Sequence, residues 1–146
     1  MVHGTVVSIH VTPTRGQPTT AVPEARAVAG KGIEGDRHFG QTRRRQVSLI
    51  EIEALEALQR DYNVAIAPGD ARREVVTQGV ALNHLVGREF QIGEVRLLGT
   101  GLCEPCTHLA ELTSETVRLG LIHRGGLCAQ VLNGGTVRAG DPISSV

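Results

Sequence analysis

The sequence predicts a mostly β fold with a β-barrel core, one main amphipathic helix and short helical turns. Two observations predict the barrel: segments rich in β-branched residues recur at intervals of roughly ten residues, and turn residues separate them. A third observation predicts a single main helix, because only one stretch has apolar residues at helical spacing. The 146 residues fit one domain, residues 1–146, without a linker that would separate a second.

The first half of the chain contains two predicted strands and the helix. Residues 4–11 are rich in β-branched side chains and stop before Pro13, which cannot donate to a sheet. Residues 46–50 form a second predicted strand, which runs directly into a helix over residues 51–59. Acidic residues occupy the first turn of that helix, where the helix dipole favours them. We expect this helix to cover one side of a sheet.

Four further strands are predicted in the second half of the chain, at residues 73–77, 88–92, 95–100 and 127–132. Gly93 and Glu94 form a tight connection between the middle two strands. The run Asn133-Gly134-Gly135 predicts a hairpin after the last strand, because these residues tolerate a positive φ. Strands joined by hairpins in this way close most economically into a barrel.

Composition excludes several classes of protein. Fifteen basic residues balance fifteen acidic ones, with one Tyr, two Phe and no Trp, so the chain lacks the positive field and the aromatic faces that bind nucleic acid. No apolar run is long enough to span a bilayer, and the N-terminal residues do not resemble a signal peptide. We therefore expect a cytoplasmic protein that binds neither nucleic acid nor membranes. Three cysteines cannot all pair internally, which favours free thiols.

Two of the cysteines fall in one short segment, Cys103-Glu104-Pro105-Cys106-Thr107-His108. The Cys-x-x-Cys spacing lets both sulfurs reach one metal ion or each other. One interpretation is a tetrahedral zinc site, whose ligands would be Cys103, Cys106, His108 and one of His84, His123 or Cys128. No second closely spaced pair of ligands is present, which argues against zinc.

The three cysteines have different predicted roles. A short helix over residues 107–112 would place Cys106 at its N-terminus, where a thiolate is stabilised. Cys106 is then either a soft metal ligand or a nucleophile; the alternative is a small buried apolar residue. Cys103 either packs beneath the loop, which we favour, or resolves an oxidised Cys106 as a disulfide. Cys128 lies between apolar residues of a predicted strand and is expected in the core.

The glycine-rich segment at residues 30–40 is a second candidate site. Its four glycines let the backbone approach a ligand, and Arg37 and His38 add charge or hydrogen bonds suited to a phosphate. The alternative is an ordinary loop in which Asp36 accepts hydrogen bonds from backbone N–H groups.

Arginines at predicted strand ends could complete an anion pocket, because the guanidinium matches the geometry of a phosphate. Taken singly, most such residues are solvated. The arginines that we favour are Arg72, Arg73 and Arg124.

Four segments, in this order along the chain, resemble the MOSC family, the C-terminal domain of molybdenum-cofactor sulfurases, which also occurs alone in bacteria. The segments are Gly35-Asp36-Arg37-His38-Phe39-Gly40, Arg45-Gln46-Val47-Ser48-Leu49-Ile50, residues 98–106, and Gly140-Asp141. The resemblance extends from about residue 4 to residue 143. It implies a mostly β fold with a barrel of the MOSC or pyruvate-kinase type, in agreement with the strand pattern.

The resemblance also implies a function. Members bind the molybdenum cofactor, a pterin dithiolene with a phosphate, or handle sulfur destined for it. The family's cysteine corresponds to Cys106, which would be the molybdenum ligand or a persulfide carrier. Asp36, Arg37, His38, Arg72, Arg73 and Arg124 would bind the cofactor. The implied reaction is oxotransfer, the reduction of N-hydroxylated compounds, with electrons from a separate reductase.

The resemblance leaves one alternative function open, and the chain departs from the family pattern at one position. The alternative to catalysis is a persulfide carrier or cofactor chaperone that delivers to a molybdoenzyme. Pyridoxal phosphate is not expected, because the fused sulfurases bind it in a separate N-terminal domain. Where many members have an asparagine, this chain has Glu74. A carboxylate would repel a phosphate, so either Glu74 faces elsewhere or the ligand differs.

Overall fold

Seven strands close into a barrel in the computed structural model, which describes residues 3–146. In order around the barrel, the strands are β1 (His3–Val11), β11 (Pro142–Ser145), β7 (Glu89–Ile92), β8 (Val95–Leu102), β9 (Leu127–Asn133), β5 (Val47–Glu51) and β6 (Val75–Gln78). The barrel closes where β6 pairs with β1. All of these neighbours are antiparallel except β5 and β6, which are parallel because helix α1 (Ile52–Tyr62) connects them.

Four short strands lie outside the barrel. Strand β2 (Thr20–Val22) extends the sheet beside β1, and a separate sheet contains β10 (Gly135–Arg138), β3 (Glu24–Val28) and β4 (Gly32–Ile33). The barrel strands predicted at residues 4–11, 46–50, 73–77, 88–92, 95–100 and 127–132 are confirmed, with ends shifted by at most two residues. The hairpin at Gly93 and Glu94 is also confirmed, between β7 and β8.

The hairpin predicted at Asn133-Gly134-Gly135 is wrong. Strand β10 pairs with β3 and not with β9, so the chain leaves the barrel at this point. The glycines have a different physical role here. A Cβ atom on Gly134 would lie 2.6 Å from the carbonyl oxygen of Ala27, so a residue without a side chain is needed where the two sheets approach closely.

Three helices lie within the described residues, together with two short 3₁₀ turns at Pro68–Ala71 and Leu82–Leu85. The predicted main helix is confirmed as α1, which buries Ala54, Leu55 and Leu58. The predicted short helix after Cys106 is confirmed as α2 (Thr107–Leu112), and α3 (Glu115–Gly120) follows it. Within residues 3–146, no helix is long and apolar enough to cross a membrane.

The hydrophobic core has two parts, one inside and one outside the barrel. The interior is filled by side chains from all seven strands, among them Ile9, Leu49, Phe90 and Leu127, each fully buried. Burial alternates along β8, as expected when successive side chains face opposite sides of a sheet. The outer part packs α1 and α3 against Ile50 of β5 and its neighbours. The barrel is therefore a filled core, and a functional site has to lie outside it.

We predict that Gly126→Ala strongly destabilises the protein. Gly126 has a φ of 115°, and an added Cβ would overlap the carbonyl oxygen of Leu49. The matched control is Gly87→Ala, since Gly87 also has a positive φ, 76°, but open space where the Cβ would lie. Chemical denaturation should show a loss of about 1 kcal/mol for the control and on the order of 3 kcal/mol or more for Gly126→Ala. Equal losses would contradict the packing described here.

Candidate functional site

A row of polar side chains crosses the outer face of the barrel and forms the floor of the candidate site. In β5, Leu49 faces the barrel interior, so its neighbour Ser48 faces outward. Ser48 is paired with Cys128 of β9 on one side, and on the other its backbone N–H donates to Glu74, which immediately precedes β6. The register of three neighbouring strands therefore places Glu74, Ser48 and Cys128 in one line.

Glu74 lies in this floor and is almost completely buried, with 3% of its surface exposed. Its Oε1 atom accepts hydrogen bonds from Ser48 N (3.0 Å) and Ser48 Oγ (2.6 Å), while Oε2 is buried without a partner among the described residues. Burial, and secondly the negative charge of Asp36, raise the pKa of Glu74 to about 8. At neutral pH the side chain is therefore mostly protonated, which removes the repulsion that a carboxylate would exert on an anion.

Asp36 fixes the glycine-rich loop above this floor. Its carboxylate accepts hydrogen bonds from Thr12 N (3.0 Å) and His38 N (3.1 Å), and it contacts His38 Nδ1 at 3.0 Å. Burial alone would raise the pKa of Asp36, but the hydrogen bonds from His38 and Thr12 outweigh it and leave this pKa below its ordinary value. Asp36 and His38 thus bind each other and the loop, and they position Arg37 between them.

A cavity of about 30 Å³ lies where this loop meets the start of α2. It gathers side chains from residues 37 and 45, from residues 72–73 and from residues 106–109. The polar residues that line it are Arg37, Arg45, Arg72, Arg73, Cys106 and His108. Three of the arginines named from the sequence are therefore brought together with Cys106.

Several nitrogen atoms around this cavity are buried without a hydrogen-bond partner among the described residues. They are Arg37 Nε, Arg45 Nε, Arg72 Nη2 and His108 Nε2. Buried polar atoms in native proteins almost always have a partner, and an arginine offers only donors. Unpartnered donors concentrated at one cavity therefore indicate a missing acceptor, and the surrounding charge indicates an anion.

The charges around the cavity also indicate that it binds an anion. Burial and the positive charge of Arg45 lower the pKa of Arg37, with smaller contributions from Arg15 and Arg72. Loss of solvent and the charges of Arg15, Arg37 and Arg72 lower the pKa of His108 as well. His108 is therefore neutral at pH 7. An anion in the cavity would relieve the repulsion among the arginines.

Arg72 and Arg73 have different roles although they are adjacent. Arg73 is buried, and its guanidinium donates to Gly125 O (2.8 Å) and Cys103 O (3.0 Å), so it ties the cysteine loop to the barrel. Arg72 adopts a left-handed backbone conformation with a φ of 62° and donates through Nη1 to Gln17 O (2.7 Å). Its other terminal nitrogen remains unpartnered at the cavity.

The three cysteines occupy different environments. Cys106 is exposed and caps the N-terminus of α2, where its carbonyl accepts from Ala110 N at 3.2 Å. Cys103 and Cys128 are buried. In residues 3–146, the one group of three or more potential metal ligands within 4.8 Å of one another is Asp36, His38 and Glu74. Cys103, Cys106 and His108 thus do not form the zinc site considered from their spacing.

Arg124 is not brought to the cavity. It is exposed, its Nη1 atom lies 3.8 Å from Asp61 Oδ2, and it lines a separate pocket with Glu51 and Glu53. Conversely, Arg45 lines the cavity although the sequence did not distinguish it from Arg43 and Arg44. The fold distinguishes Arg45 from the other two, because Arg45 lies two residues before β5 and its Nε atom is buried.

A larger pocket of about 140 Å³ adjoins the cavity through Arg72. It is lined by Gly16, Pro18, Asp70, Leu112 and Thr113 in addition to that arginine. The site thus has a small basic compartment beside Cys106 and a roomier compartment next to it.

We predict that Glu74→Gln changes how stability depends on pH. Between about pH 4.5 and about pH 8, the unfolded chain releases the Glu74 proton and the folded protein keeps it. The wild type therefore loses stability as the pH rises through this window. Glutamine resembles the protonated acid, so the variant should gain stability relative to the wild type, by on the order of 5 kcal/mol at most.

Denaturation at several pH values measures this difference, with Glu56→Gln, an exposed carboxylate on α1, as the control. The control should follow the wild type across the window. A pH profile of Glu74→Gln that runs parallel to the wild type would contradict the protonated state of Glu74.

Comparison with solved structures shows the same fold in other bacterial proteins. The YuaD protein from Bacillus subtilis superimposes with a TM-score of 0.87 at 22% identity, over 98% of this chain and 97% of that one. YiiM from Geobacillus stearothermophilus gives 0.80 at 17% identity, over 98% and 75%. YiiM from Escherichia coli gives 0.70 at 21% identity, over 97% and 69%.

Comparison of sequences identifies the family. None of the curated proteins matches this chain at a significant level. The family model described as MOSC domain matches residues 34–144. The match includes every residue that lines the basic cavity, from Arg37 to Leu109. The chain therefore belongs to the MOSC domain family.

Proposed function

We propose that this chain binds a molybdenum cofactor, with Cys106 as the protein ligand of the metal. The observation that carries the proposal is the set of unpartnered nitrogen donors around the cavity onto which Cys106 opens. The cofactor is an anion because of its phosphate, and it presents a soft metal for which a thiolate is a suitable ligand. MOSC domains are associated with this cofactor, so membership of the family supports the proposal that this chain binds it.

The residues present fit such a group. Arg37, Arg45 and Arg72 would hold the anionic part, because each has a nitrogen atom free to donate. Cys106 is exposed at the N-terminus of α2 and would reach the metal. The cavity of about 30 Å³ admits only a small group, so the pterin would occupy the adjoining pocket of about 140 Å³.

The proposed reaction is reduction of an N-hydroxylated compound by oxotransfer. The N–O bond breaks, and two electrons and two protons yield the amine and water. When bound, the cofactor supplies the two-electron chemistry, and a separate reductase supplies the electrons. His108 is neutral, and its unpartnered Nε2 atom can hold or pass a proton at the cavity. Arg73 keeps the cysteine loop in place through its bonds to Cys103 and Gly125.

The exposure of Cys106 favours one second candidate. A cysteine that other proteins can reach could hold a persulfide or a cofactor and pass it to a molybdoenzyme. In that function the sulfur is cargo and no substrate pocket is needed. The basic cavity would then serve to retain the anionic cofactor during transfer.

The first prediction for this function concerns Cys106→Ser. The wild type and the variant are produced in a host that makes molybdenum cofactor and purified without oxygen. We expect molybdenum and pterin in equal amounts, near one per chain in the wild type, and loss of the metal in the variant because serine is a harder and weaker donor. The two contents are measured by elemental analysis and by fluorescence of the released pterin.

Each other result has a definite meaning. Zinc without pterin in the wild type would overturn the proposal. Protein without either metal, but with an additional sulfur on Cys106 by mass spectrometry, would establish the carrier function instead. Protein without metal, pterin or added sulfur would exclude both functions under these conditions.

The second prediction concerns the arginines. Arg37→Gln removes a cation whose Nε atom is unpartnered at the cavity, so pterin should bind roughly ten-fold or more weakly, as for loss of a charge-assisted hydrogen bond. The matched control is Arg124→Gln, because Arg124 is exposed and lies against Asp61, away from the cavity. The measurement is the fraction of pterin retained through gel filtration at increasing salt.

The control should retain pterin as the wild type does. Equal loss from both arginine variants would mean that general surface charge, and not the cavity, holds the cofactor.

A further inference from the structure

Two buried cysteines lie on the same face of neighbouring strands at the start of the cysteine loop. Cys128 lies in β9, and Cys103 immediately follows the end of β8, the strand paired with β9. The ladder between the two strands continues past the end of β8, because Cys103 N donates to Gly126 O at 2.8 Å. Cys128 is paired with Gly101, two residues before Cys103, so the two cysteines are diagonal neighbours across the ladder.

The two thiols interact, and their surroundings make them unequal. A hydrogen bond from Cys128, and secondarily the positive charges of Arg73, Arg45 and His38, lower the pKa of Cys103 despite its burial. The same hydrogen bond, together with burial, raises the pKa of Cys128. Cys103 is therefore the thiol that loses its proton more readily, and disulfide formation starts from a thiolate beside a thiol.

The position of this pair links it to the site described above. The carbonyl of Cys103 accepts from Arg73, which lines the basic cavity, and Cys106 follows three residues later. Both cysteines are only 4% exposed, so a protein disulfide or another bulky reagent cannot approach them. A small hydroperoxide is the oxidant whose size fits.

We propose that Cys103 and Cys128 form a redox-active dithiol that a hydroperoxide oxidises to an intrachain disulfide. The Cys103 thiolate attacks one peroxide oxygen, the O–O bond breaks, and the departing oxygen takes a proton and leaves as water or an alcohol. Cys103 is then a sulfenic acid. The sulfur of Cys128 attacks it, the S–O bond breaks, and water leaves with the Cys128 proton. The two thiols supply the two electrons that reduce the peroxide.

This inference is independent of the proposed cofactor. It requires no metal and no pterin, and it uses two thiol groups that the proposed function does not. Its product is an S–S bond of about 2.0 Å between two neighbouring strands. The disulfide would join strands β8 and β9 directly behind the anchor of Arg73.

The test uses full-length Cys106→Ser protein, in which the exposed thiol cannot compete. Reduced protein is treated with one equivalent of hydrogen peroxide, and intact and peptide masses are measured after blocking remaining thiols. We expect most of the protein to lose the mass of two hydrogens, with a peptide that joins Cys103 to Cys128. Failure to oxidise, or oxidation that stops with one added oxygen on either cysteine, would overturn the proposal.

Two further variants assign the order of the steps. In the Cys106→Ser background, Cys128→Ala should leave a sulfenic acid on Cys103 that dimedone traps once the oxidised protein is unfolded, whereas Cys103→Ala should leave Cys128 unreactive at the same dose. Circular dichroism shows whether each variant is folded. Should either fail to fold, the wild-type protein supplies the same test, because a disulfide from Cys103 to Cys106 would contradict the pairing and one to Cys128 would support it.

Discussion

Mutual repulsion among Arg37, Arg45 and Arg72 at one cavity is the constraint on which the rest of the site depends. Burial and neighbouring charge lower the pKa of Arg37, and the same arginine field lowers the pKa of His108. A flexible chain would relax such a cluster into solvent. Here it persists because a filled barrel, closed by seven strands, fixes the segments that contribute to it. The stable barrel thus holds the unpartnered donors close together.

The polar layer beneath the arginines offsets their charge only in part, through Asp36. Asp36 is committed to Thr12 and His38, and Glu74 is committed to Ser48 and mostly protonated near neutral pH. Arg73 is likewise satisfied by backbone carbonyls and serves as an anchor. The charge of the remaining arginines is therefore available to a ligand. This arrangement also explains how Glu74 is tolerated beneath an anion site, since its side chain is buried in the floor and mostly protonated.

More of the fold than of the site could be predicted from the sequence. Strands such as β1 and β8 have a strong β-branched or alternating pattern, and α1 has helical spacing, so local sequence sufficed for them. The glycines after Asn133 led to the wrong prediction of a hairpin, because a turn and a close approach between sheets both require glycine. The sequence could not show that Arg45 lines the cavity and that Arg124 does not, because only the strand register determines which arginine lies near Cys106. The placement of Cys103 near Cys128 also arises from the pairing of strands that are distant in sequence.

The central claim is that this cavity holds an anionic metal cofactor next to Cys106. The most direct measurement is a crystal structure of protein purified from a host that makes molybdenum cofactor, with anomalous diffraction recorded on both sides of the molybdenum edge. The account predicts one anomalous peak within bonding distance of Cys106 Sγ, with pterin density that reaches Arg72. A molybdenum peak at any other place, such as beside Asp36, His38 and Glu74, would contradict it.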